Sequence, residues 1–529
     1  MAKKISIVAL LSFAAMLTVS CVGTRDLSGM TKVTMWVWGD VAETNVFQKL
    51  AKDYTNNNKD NIYIDFQKKD SDGYDTTLRT ALTGRQGPDI FYVGDASIKR
   101  YAGDNNLEDL SRYIKDSTII DTNDIWPSLM DRYQFDTNTY LHDDSAPIWG
   151  LPKDIGPTVI FYNEDALTAQ NIKVISAKDD DNDGKVTYQG QQYDARGYDP
   201  ENKVFNNKIA MTTDELGEIS KLLNHSNAIP SKHQTRWTFY SSWWFWAGWS
   251  VGGDCIQFHE TDDPSYYGGY WEFTLDDTHK NYRVNEDMTL NEHSYKKGEF
   301  VDYYDLPFME TYDQTASLVA EGKLNELPSI NSAFDYWINF FYNGTSPKPS
   351  DFSSELGLFT NQEVAMYVTG RYNTLEFRRD CSFAWDCAPL PIFEGGTGGG
   401  HSTSMCVSMN KNCKNKPEAF KVIEYFCGPE GQDALAATGF NVPSQISVTN
   451  DPNGNFLKST ERPYNKDCFL DAVSYQKAGD WSYLKDDAWI NIWAPYLNGD
   501  VINGKATQQE LFAKYKTATN NKLKEYTRR

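Results

Sequence analysis

Aromatic side chains dominate the residues with recognisable chemistry, and their chemistry is non-covalent binding. The segment TFYSSWWFWAGWSVGGD (238–254) contains Trp243, Trp244, Trp246 and Trp249. Aromatic residues make up 14% of the chain, including 15 Trp and 32 Tyr. Indole and phenol rings offer flat apolar faces at low entropic cost, which suits stacking against a ligand. The alternative is that these rings fill an aromatic-rich core.

A second group of aromatic and acidic residues follows two predicted strands. KVTMWVWGD (32–40) and PDIFYVGD (88–95) have the apolar pattern of strands, and they carry Trp36, Trp38, Asp40, Tyr92 and Asp95 at or near their ends. Ligands of open α/β sheets bind at the carboxyl ends of the strands. We therefore predict that these five residues form one wall of a binding cleft. Core aromatics with solvated carboxylates are the alternative.

The elements that position these residues alternate in type along the N-terminal part of the chain. After the strand at 32–40 come a helical pattern at 45–57, a strand at 61–68, an amphipathic helix at 74–87 and the strand at 88–95. A β-α-β-α-β order favours a parallel sheet with right-handed crossovers. The sequence therefore predicts an open α/β lobe with a ligand edge.

Composition and motifs exclude several classes of function. The formal net charge of -22 argues against nucleic acid or an anionic membrane surface as a partner, because both require basic patches. The glycine-rich loop EGGTGGGHSTS (394–404) lacks the G-K-[ST] ending of a phosphate loop. Neither G-x-S-x-G nor H-E-x-x-H is present. Paired carboxylates for glycan hydrolysis remain open, since 73 acidic residues make chance pairs plentiful.

The N-terminus has the pattern of an export signal. Lys3 and Lys4 precede an apolar stretch, Ile5–Val19, which is shorter than the roughly 20 residues of a membrane-spanning helix. The segment LTVSC resembles a bacterial lipobox, in which Cys21 is lipidated and becomes the mature N-terminus, although Thr18 stands where Leu is usual. We predict a signal peptide at 1–20 and a tether at 21–30. Ordinary secretion is the alternative.

One acidic loop has the opening of a calcium site. Asp179, Asp181, Asp183 and Gly184 form D-x-D-x-D-G, in which alternate oxygens converge on a hard cation, and Lys185 offers its carbonyl. Gly190 stands at the position of the usual bidentate Glu, so that ligand has to come from elsewhere, for example Asp194. We predict a structural Ca²⁺ and no required cofactor. A solvated acidic loop is the alternative.

Seven cysteines remain besides Cys21, and their pairing cannot be read from the sequence. Export permits disulfides. Cys381 with Cys387 is a candidate local pair, and Cys406, Cys413 and Cys427 offer candidates for another. The absence of C-x-x-C and the scatter of the seven His argue against a zinc site or a thiol redox function.

Six segments together resemble a known family. In order they are VTMWVWGD, GRQGPDIFYVGD, IWGLPKDIGPTVIFYNEDAL, FTNQEVAMYVTGRYNTLEF, NKPEAFKVIEYF and GFNVPS. Each is weak alone, but their order and spacing are similar to those of the extracellular solute-binding proteins of bacterial ABC importers, in the sugar-binding family related to maltose-binding protein. The resemblance covers most of the chain after residue 30, apart from two insertions.

The resemblance implies a two-lobed α/β periplasmic-binding-protein fold. Each lobe would be a mostly parallel sheet flanked by helices, and a multi-strand hinge would join the lobes. Carried over, lobe 1 is 31–152 and 401–455. Lobe 2 is 153–400 and 456–529, with insertions at 176–210 and 258–310. The second insertion, rich in Tyr, Asp and His, is either a lid over the cleft or surface decoration.

The resemblance also implies a ligand and its contacts. A sugar is held by an aromatic ring under its apolar face and by polar groups around its hydroxyl rim. The implied binding residues are Trp38, Asp40, Tyr92, Asp95, Trp243, Trp244, Arg371, Tyr372 and Trp493.

The implied function is the capture of a sugar or oligosaccharide by a monomer that does not cleave it. Its partners would be an ABC permease and the membrane to which its lipid holds it, in the periplasm or at the cell surface, and no nucleic acid. Two alternatives stay open. One is an exported glycan-degrading enzyme, and the other is a binding protein for a non-sugar ligand such as a polyamine or cationic peptide.

Overall fold

The computed structural model describes residues 26–39, 41–179, 181, 183–275, 280–290, 293–301 and 311–529. Its strands are β1 (Thr31–Val37), β2 (Ile62–Lys68), β3 (Ile90–Gly94), β4 (Leu151–Pro152), β5 (Gly156–Asn163), β6 (Lys173–Ile175), β7 (Lys185–Tyr188), β8 (Gln191–Asp194), β9 (Tyr198–Asp199), β10 (Val204–Asn206), β11 (Trp237–Tyr240), β12 (Ile256–Glu260), β13 (Gly269–Phe273), β14 (Tyr282–Val284), β15 (Met288–Leu290), β16 (His293–Tyr295), β17 (Phe300–Val301), β18 (Leu324–Glu326), β19 (Val364–Gly370), β20 (Trp385–Ala388), β21 (Ser402–Thr403) and β22 (Met405–Met409).

The α-helices lie between and after these strands. They are α1 (Val41–Asn57), α2 (Tyr74–Thr83), α3 (Asp95–Gly103), α4 (Ser111–Lys115), α5 (Pro127–Tyr133), α6 (Glu164–Ala169), α7 (Thr213–Leu223), α8 (Phe245–Ser250), α9 (Thr311–Ala320), α10 (Ile330–Tyr342), α11 (Glu355–Thr360), α12 (Thr374–Asp380), α13 (Lys416–Cys427), α14 (Pro429–Ala436), α15 (Ile446–Asn450), α16 (Asn455–Lys458), α17 (Asp467–Val473), α18 (Ala494–Tyr496) and α19 (Gln508–Glu525). Within the described ranges, no helix is both long enough and apolar enough to cross a bilayer.

The first sheet forms the core of lobe 1 and has the order β2-β1-β3-β22-β4. β1 pairs in parallel with both β2 and β3, as the β-α-β-α-β pattern predicts. Val33, Met35 and Val37 alternate along β1 and are fully buried. On α1, Phe47 and Leu50 are buried three residues apart, the spacing that places side chains on one helix face.

The second sheet forms the core of lobe 2 and has the order β11-β19-β5-β20, with β21 also paired to β5. Every residue of β5 is buried, because helices or other chain segments cover both faces of the sheet. The predicted two-lobed α/β fold is thus confirmed.

Both sheets are mostly parallel in strand direction, as expected, and each contains one strand that runs against the others. In the second sheet β11, β19 and β20 run in one direction, while β5 lies between β19 and β20 and runs antiparallel to both. In lobe 1, β22 runs antiparallel to β3 and β4. Both antiparallel strands, β5 and β22, enter their sheets from the other lobe. A strand that enters from the hinge must run opposite to strands that end at the cleft.

Three chain segments hydrogen-bond to one another where the lobes meet. Lys153 N donates to Met405 O at 2.9 Å, and Ile155 and Val442 exchange backbone hydrogen bonds of 2.9 and 3.0 Å. Ser404 Oγ donates to the carbonyl of Asp154 at 2.7 Å. These bonds join the first crossing between the lobes (152–156) to the second (401–405) and to the segment at Val442, which leads toward the third crossing near residue 456.

The two insertions and the C-terminal segment (456–529) surround these two sheets. The first insertion contains the hairpin β7–β8 and the strands β9 and β10, which form a small sheet with the preceding β6. The second contains β13, which pairs with β12 at its start, the hairpin β15–β16, and the strands β14 and β17, which form a sheet with the later β18. The C-terminal segment also reaches lobe 1, since Lys99 Nζ on α3 donates to Tyr483 O at 2.7 Å. The domain boundaries given above remain a prediction.

Candidate functional site

A cleft between the lobes consists of two connected chambers. The first chamber, about 660 Å³, is formed mainly by lobe 1, and the second, about 620 Å³, mainly by lobe 2 and the C-terminal segment. Tyr372, Asn373 and Thr403 line both, so the two spaces are continuous. Each chamber has a volume typical of a small-molecule site.

The first chamber combines aromatic rings with acidic groups. The indole of Trp38, just after β1, lies 6.1 Å from the ring of Tyr74, measured between centroids. Tyr101 OH donates to Asp75 Oδ1 at 2.7 Å, which holds that carboxylate at the chamber wall. Tyr74 OH donates to the carbonyl of Tyr92 at 3.0 Å, which fixes its ring against the sheet edge. The chamber therefore offers ring faces beside fixed hydrogen-bond acceptors.

The second chamber has a wall of indole rings. Trp243 is half-buried at the chamber surface and packs on the buried Trp493, with ring centroids 5.7 Å apart and planes tilted by 31°. Trp481, from the C-terminal segment, lines the chamber and meets the ring of His401 edge-on at 5.1 Å. Glu355 also lines this chamber and accepts a hydrogen bond from Tyr240 OH at 3.1 Å. Desolvation at the wall raises the pKa of Glu355.

Tyr372 stands where the chambers join, and Gly370 makes its position possible. A Cβ added at Gly370 would lie 2.1 Å from Cε1 of the Tyr372 ring, far inside van der Waals contact. The backbone of Gly370 is extended, with φ -80°, so the glycine is required by the close approach of the ring and not by backbone strain. Tyr372 is half-buried and presents its ring to both chambers.

A cluster of buried charged side chains lies under the first chamber, next to the hinge. Lys153 Nζ contacts Glu43 Oε1 at 2.5 Å and also pairs with Asp154, and all three side chains are almost completely buried. Burial alone would lower the pKa of Lys153, but the negative charges of Asp154 and Glu43 outweigh it and raise the pKa above its ordinary value. The lysine therefore stays charged and holds α1 against the first crossing.

His401 is the titratable group of the second crossing that faces the second chamber. Burial, helped by the positive charge of Arg132, lowers the pKa of His401 to about 3. The imidazole is therefore neutral at physiological pH. A neutral ring that lines a cavity supplies hydrogen bonding and packing without adding charge.

Four predicted binding residues are buried behind the cleft instead of lining it. Tyr92 is fully buried and meets Phe47 edge-on at 5.7 Å, because side chains alternate along β3 and this one points into the core. Trp244 is fully buried against Phe334. Trp493 is fully buried beneath Trp243, so it supports a lining residue without lining the chamber.

Arg371 is the fourth of these residues. Its side chain is 1% exposed, and its guanidinium lies 4.6 Å from the centroid of Phe469 and 5.0 Å from that of Phe456. It follows β19 and points away from Tyr372 into the space between the sheet and α17. Burial lowers the pKa of Arg371 to about 10, which still leaves the guanidinium charged at neutral pH.

Of the other predicted binding residues, Trp38, Asp95, Trp243 and Tyr372 line the cleft. Asp95 is 7% exposed, and its Oδ2 lies 3.0 Å from Arg132 Nη1. Burial raises the pKa of Asp95, while the charge of Arg132 opposes that shift. Asp95 therefore serves first as the partner of a buried arginine. Asp40 and Cys21 lie outside the described residues.

The predicted calcium loop forms the approach to the hairpin β7–β8. Asp179 Oδ2 accepts from Gly184 N at 3.1 Å, and Asp183 Oδ1 accepts from Lys185 N at 2.9 Å. Asp194 is paired with the ammonium of Lys185. Gly184 has φ +75°, as the tight turn of such a loop requires. The calcium site stays a prediction.

In the described part of the chain, Asp254, Cys255 and Asp480 are the one group whose metal-ligating atoms all lie within 4.8 Å of one another. Asp480 and Cys255 are fully buried, and burial raises the pKa of both well above the ordinary values. The Cys255 thiol is therefore protonated at neutral pH, and it contacts the Asp480 carboxyl.

Several cleft residues escaped sequence reasoning. Three of them, Glu43, Tyr74 and Asp75, lie in the first turns of helices. Which turn of a helix faces the cleft depends on how the helices pack, and the sequence pattern does not show this. Trp481 comes from a segment without a clear pattern, and His401 lies in the glycine-rich segment 394–404, which was considered only as a phosphate loop. The one available signal was the aromatic enrichment of the C-terminal segment, which did not single out Trp481.

Comparisons with known proteins agree with this geometry. A sequence model described as bacterial extracellular solute-binding protein matches residues 49–461. A search of curated protein sequences finds no significant match.

Solved structures share the fold at low sequence identity. An ABC substrate-binding protein from Listeria monocytogenes in complex with cycloalternan is 15% identical, with a TM-score of 0.61 over 93% of this chain and 99% of the other. The sugar-binding protein MalE from Xanthomonas citri is 17% identical, with a TM-score of 0.59 over 94% and 97%. The GacH receptor of Streptomyces glaucescens is 15% identical, with a TM-score of 0.57 over 94% and 100%.

Proposed function

Because the chain belongs to the bacterial extracellular solute-binding protein family, we propose that it captures a sugar or oligosaccharide in its interlobe cleft for delivery to an ABC importer. The observation that carries this proposal is the pairing of aromatic faces with acidic and hydroxyl groups in two continuous chambers.

The chemistry of the lining fits a neutral polyhydroxylated ligand. Trp38, Trp243 and Tyr372 offer ring faces for the apolar C–H faces of pyranose rings. Asp75 and Glu355 offer acceptors for hydroxyl donors. Among the described residues that line the two chambers, none is Lys or Arg, so the site lacks the cations that an anionic ligand requires.

The length of the cleft favours an oligosaccharide over a monosaccharide. The aromatic faces are distributed over both chambers, with Trp38 in the first, Trp243 in the second and Tyr372 between them. A ligand of several sugar units would contact all three rings at once. Related proteins of this fold include complexes with cycloalternan and maltose, as their structures are described.

Ligand capture would be coupled to lobe closure at the hinge. A ligand that contacts both lobes only when they are closed shifts the population toward the closed state. A transporter that recognises the closed state then distinguishes loaded from empty protein. The binder performs no covalent step, and a lipid on Cys21 would hold it at the membrane as a monomer.

A glycan panel with a matched pair of tryptophan variants tests this function. Trp36 and Trp38 are half-buried and two residues apart, but only Trp38 lines the cleft, whereas the ring of Trp36 lies under the ammonium of Lys69 at 4.1 Å. Calorimetric titration should find a saccharide that binds stoichiometrically. Trp38→Ala should weaken its binding by at least tenfold, and Trp36→Ala should leave it within twofold.

The same samples separate binding from hydrolysis and from other ligands. A binder leaves the saccharide intact on prolonged incubation, whereas new reducing ends would show an enzyme. A polyamine or cationic peptide that binds while all saccharides fail would replace the carbohydrate proposal, since the acidic lining suits cations as well.

A further inference from the structure

Two buried thiols meet in lobe 2, away from the residues that line the two chambers. Cys387 lies on β20, and Cys468 is the second residue of α17, 81 positions later. Their Sγ atoms are 3.1 Å apart, closer than the van der Waals contact of two sulfur atoms. The two side chains are 0% and 2% exposed.

The surrounding backbone fixes this approach. Both thiols point at the carbonyl oxygen of Asn465, and each Sγ is 3.1 Å from it. The Asn465 side chain in turn donates to the carbonyl of Cys387 at 2.9 Å, and its backbone N–H donates to Asp386 Oδ1 at 3.1 Å. The loop before α17 is thus bound to β20 on both sides of the sulfur pair.

We propose that Cys387 and Cys468 form a disulfide bond in the exported protein. Extracellular proteins mature under oxidising conditions, and the chain belongs to an extracellular family. In the reaction the two thiols lose two protons and two electrons, and one S–S bond forms. The acceptor is a disulfide donor of the exported compartment, whose own disulfide is reduced to two thiols.

The pairing differs from the one that sequence spacing favoured. Cys381 is six residues from Cys387, but it is half-buried at the end of α12, and the sulfur that contacts Cys387 is that of Cys468. Local spacing indicated Cys381 because nothing in the sequence shows that α17 returns to β20.

The bond would tie together the lobe 2 segments that adjoin the second and third crossings. β20 is the last strand before the second crossing, and α17 is the first helix after the third. The buried guanidinium of Arg371 lies 4.6 Å from the ring of Phe469, the residue after Cys468. The disulfide would therefore hold α17 over this arginine and fix the lobe 2 ends of both crossings.

Burial also indicates when the bond forms. It raises the pKa of the Cys387 thiol well above its ordinary value, so little thiolate exists in the folded protein. Because thiolate is the species that exchanges, the bond would form during folding and then resist reductants in the native state.

Thiol mapping of the full chain tests the pairing directly. The protein is purified from an exporting host with N-ethylmaleimide present, denatured without reductant and digested. We expect a cross-linked peptide pair that contains Cys387 and Cys468, about 2 Da lighter than the two separate peptides. Alkylation of both cysteines, or a cross-link from either to another cysteine, would overturn the proposal.

Thermal unfolding under strong reductant supplies a second readout. Preincubation with reductant under mild denaturation, followed by refolding, should lower the melting temperature by roughly 4 °C, given a closed loop of 81 residues. The double variant Cys387→Ser/Cys468→Ser should show no reductant effect, while the matched control Cys381→Ser should keep it. A reductant effect that persists in the double variant, or is lost in the control, would contradict the pairing.

Discussion

Replacing Tyr372 provides the most informative single perturbation of the cleft, because its ring belongs to both chambers. An enclosed tyrosine buries roughly 150–250 Å². One ring face covered by a sugar accounts for roughly 80 Å², or about 2 kcal/mol at roughly 25 cal/mol per Å². Tyr372→Ala should therefore weaken saccharide binding about 30-fold.

The conservative variant separates the ring from its hydroxyl. Tyr372→Phe keeps the face and loses only the polar contacts of the OH group, which lies 3.5 Å from Thr369 Oγ1. A single hydrogen bond contributes about 1 kcal/mol, so the expected loss stays below about fivefold. Both variants are compared with the wild type by calorimetric titration, with circular dichroism as the test of folding.

Two results would refute this reasoning. Wild-type affinity in folded Tyr372→Ala would show that the ring does not contact the ligand. An equal loss in the Phe and Ala variants would show that the hydroxyl, and not the stacking face, carries the interaction.

Four further predictions follow from the same contacts. Gly370→Ala should displace the Tyr372 ring and lower affinity at least tenfold with little change in melting temperature, whereas a larger loss of stability than of affinity would contradict the contact. Because the pKa of His401 is lowered from 6.5 to about 3, the folded protein binds fewer protons than the unfolded chain between these two values, so the free energy of unfolding should be fully retained above pH 6.5 and fall by up to about 1.4 kcal/mol per pH unit as the pH falls toward 3. Denaturant titration should show a smaller dependence of the free energy of unfolding on pH in His401→Gln, and an unchanged dependence would refute this prediction. Lys153→Met should lower the free energy of unfolding by about 3–5 kcal/mol, because it leaves two buried carboxylates without their cation, and a loss below about 1 kcal/mol would show that the cluster is not buried as described. If the loop at 179–194 binds Ca²⁺, chelation should lower the melting temperature, and Asp181→Asn should remove that effect without altering saccharide binding; a chelator-insensitive wild type would dismiss the site.

The sequence predicted those parts of the fold that local patterns determine. β1, β2, α2 and β3 lie within a few residues of their expected bounds, because their apolar periodicity matches a strand or a helix packed on one core. The opposed directions of β5 and β22 were not predicted, since they depend on which segments enter each sheet from the hinge. The order of crossings is a property of the whole chain and not of any one segment.

Four predicted binding residues line the cleft, Trp38, Asp95, Trp243 and Tyr372, and each lies one to three residues after the end of a strand. Trp38 and Tyr372 line the cleft because the ends of β1 and β19 meet there. Tyr92 and Arg371 have equally suggestive types and positions, yet both point into the core. A shift of one residue along a strand reverses the facing of a side chain, and sequence patterns do not resolve strand ends that finely.

Small-angle scattering during a saccharide titration tests the central claim, that ligand capture closes two lobes over an aromatic cleft. The account predicts that the radius of gyration falls as the saccharide identified by calorimetry saturates the protein, and that Trp38→Ala needs a correspondingly higher saccharide concentration for the same change. A radius of gyration that stays constant at full saturation of the wild type would contradict it.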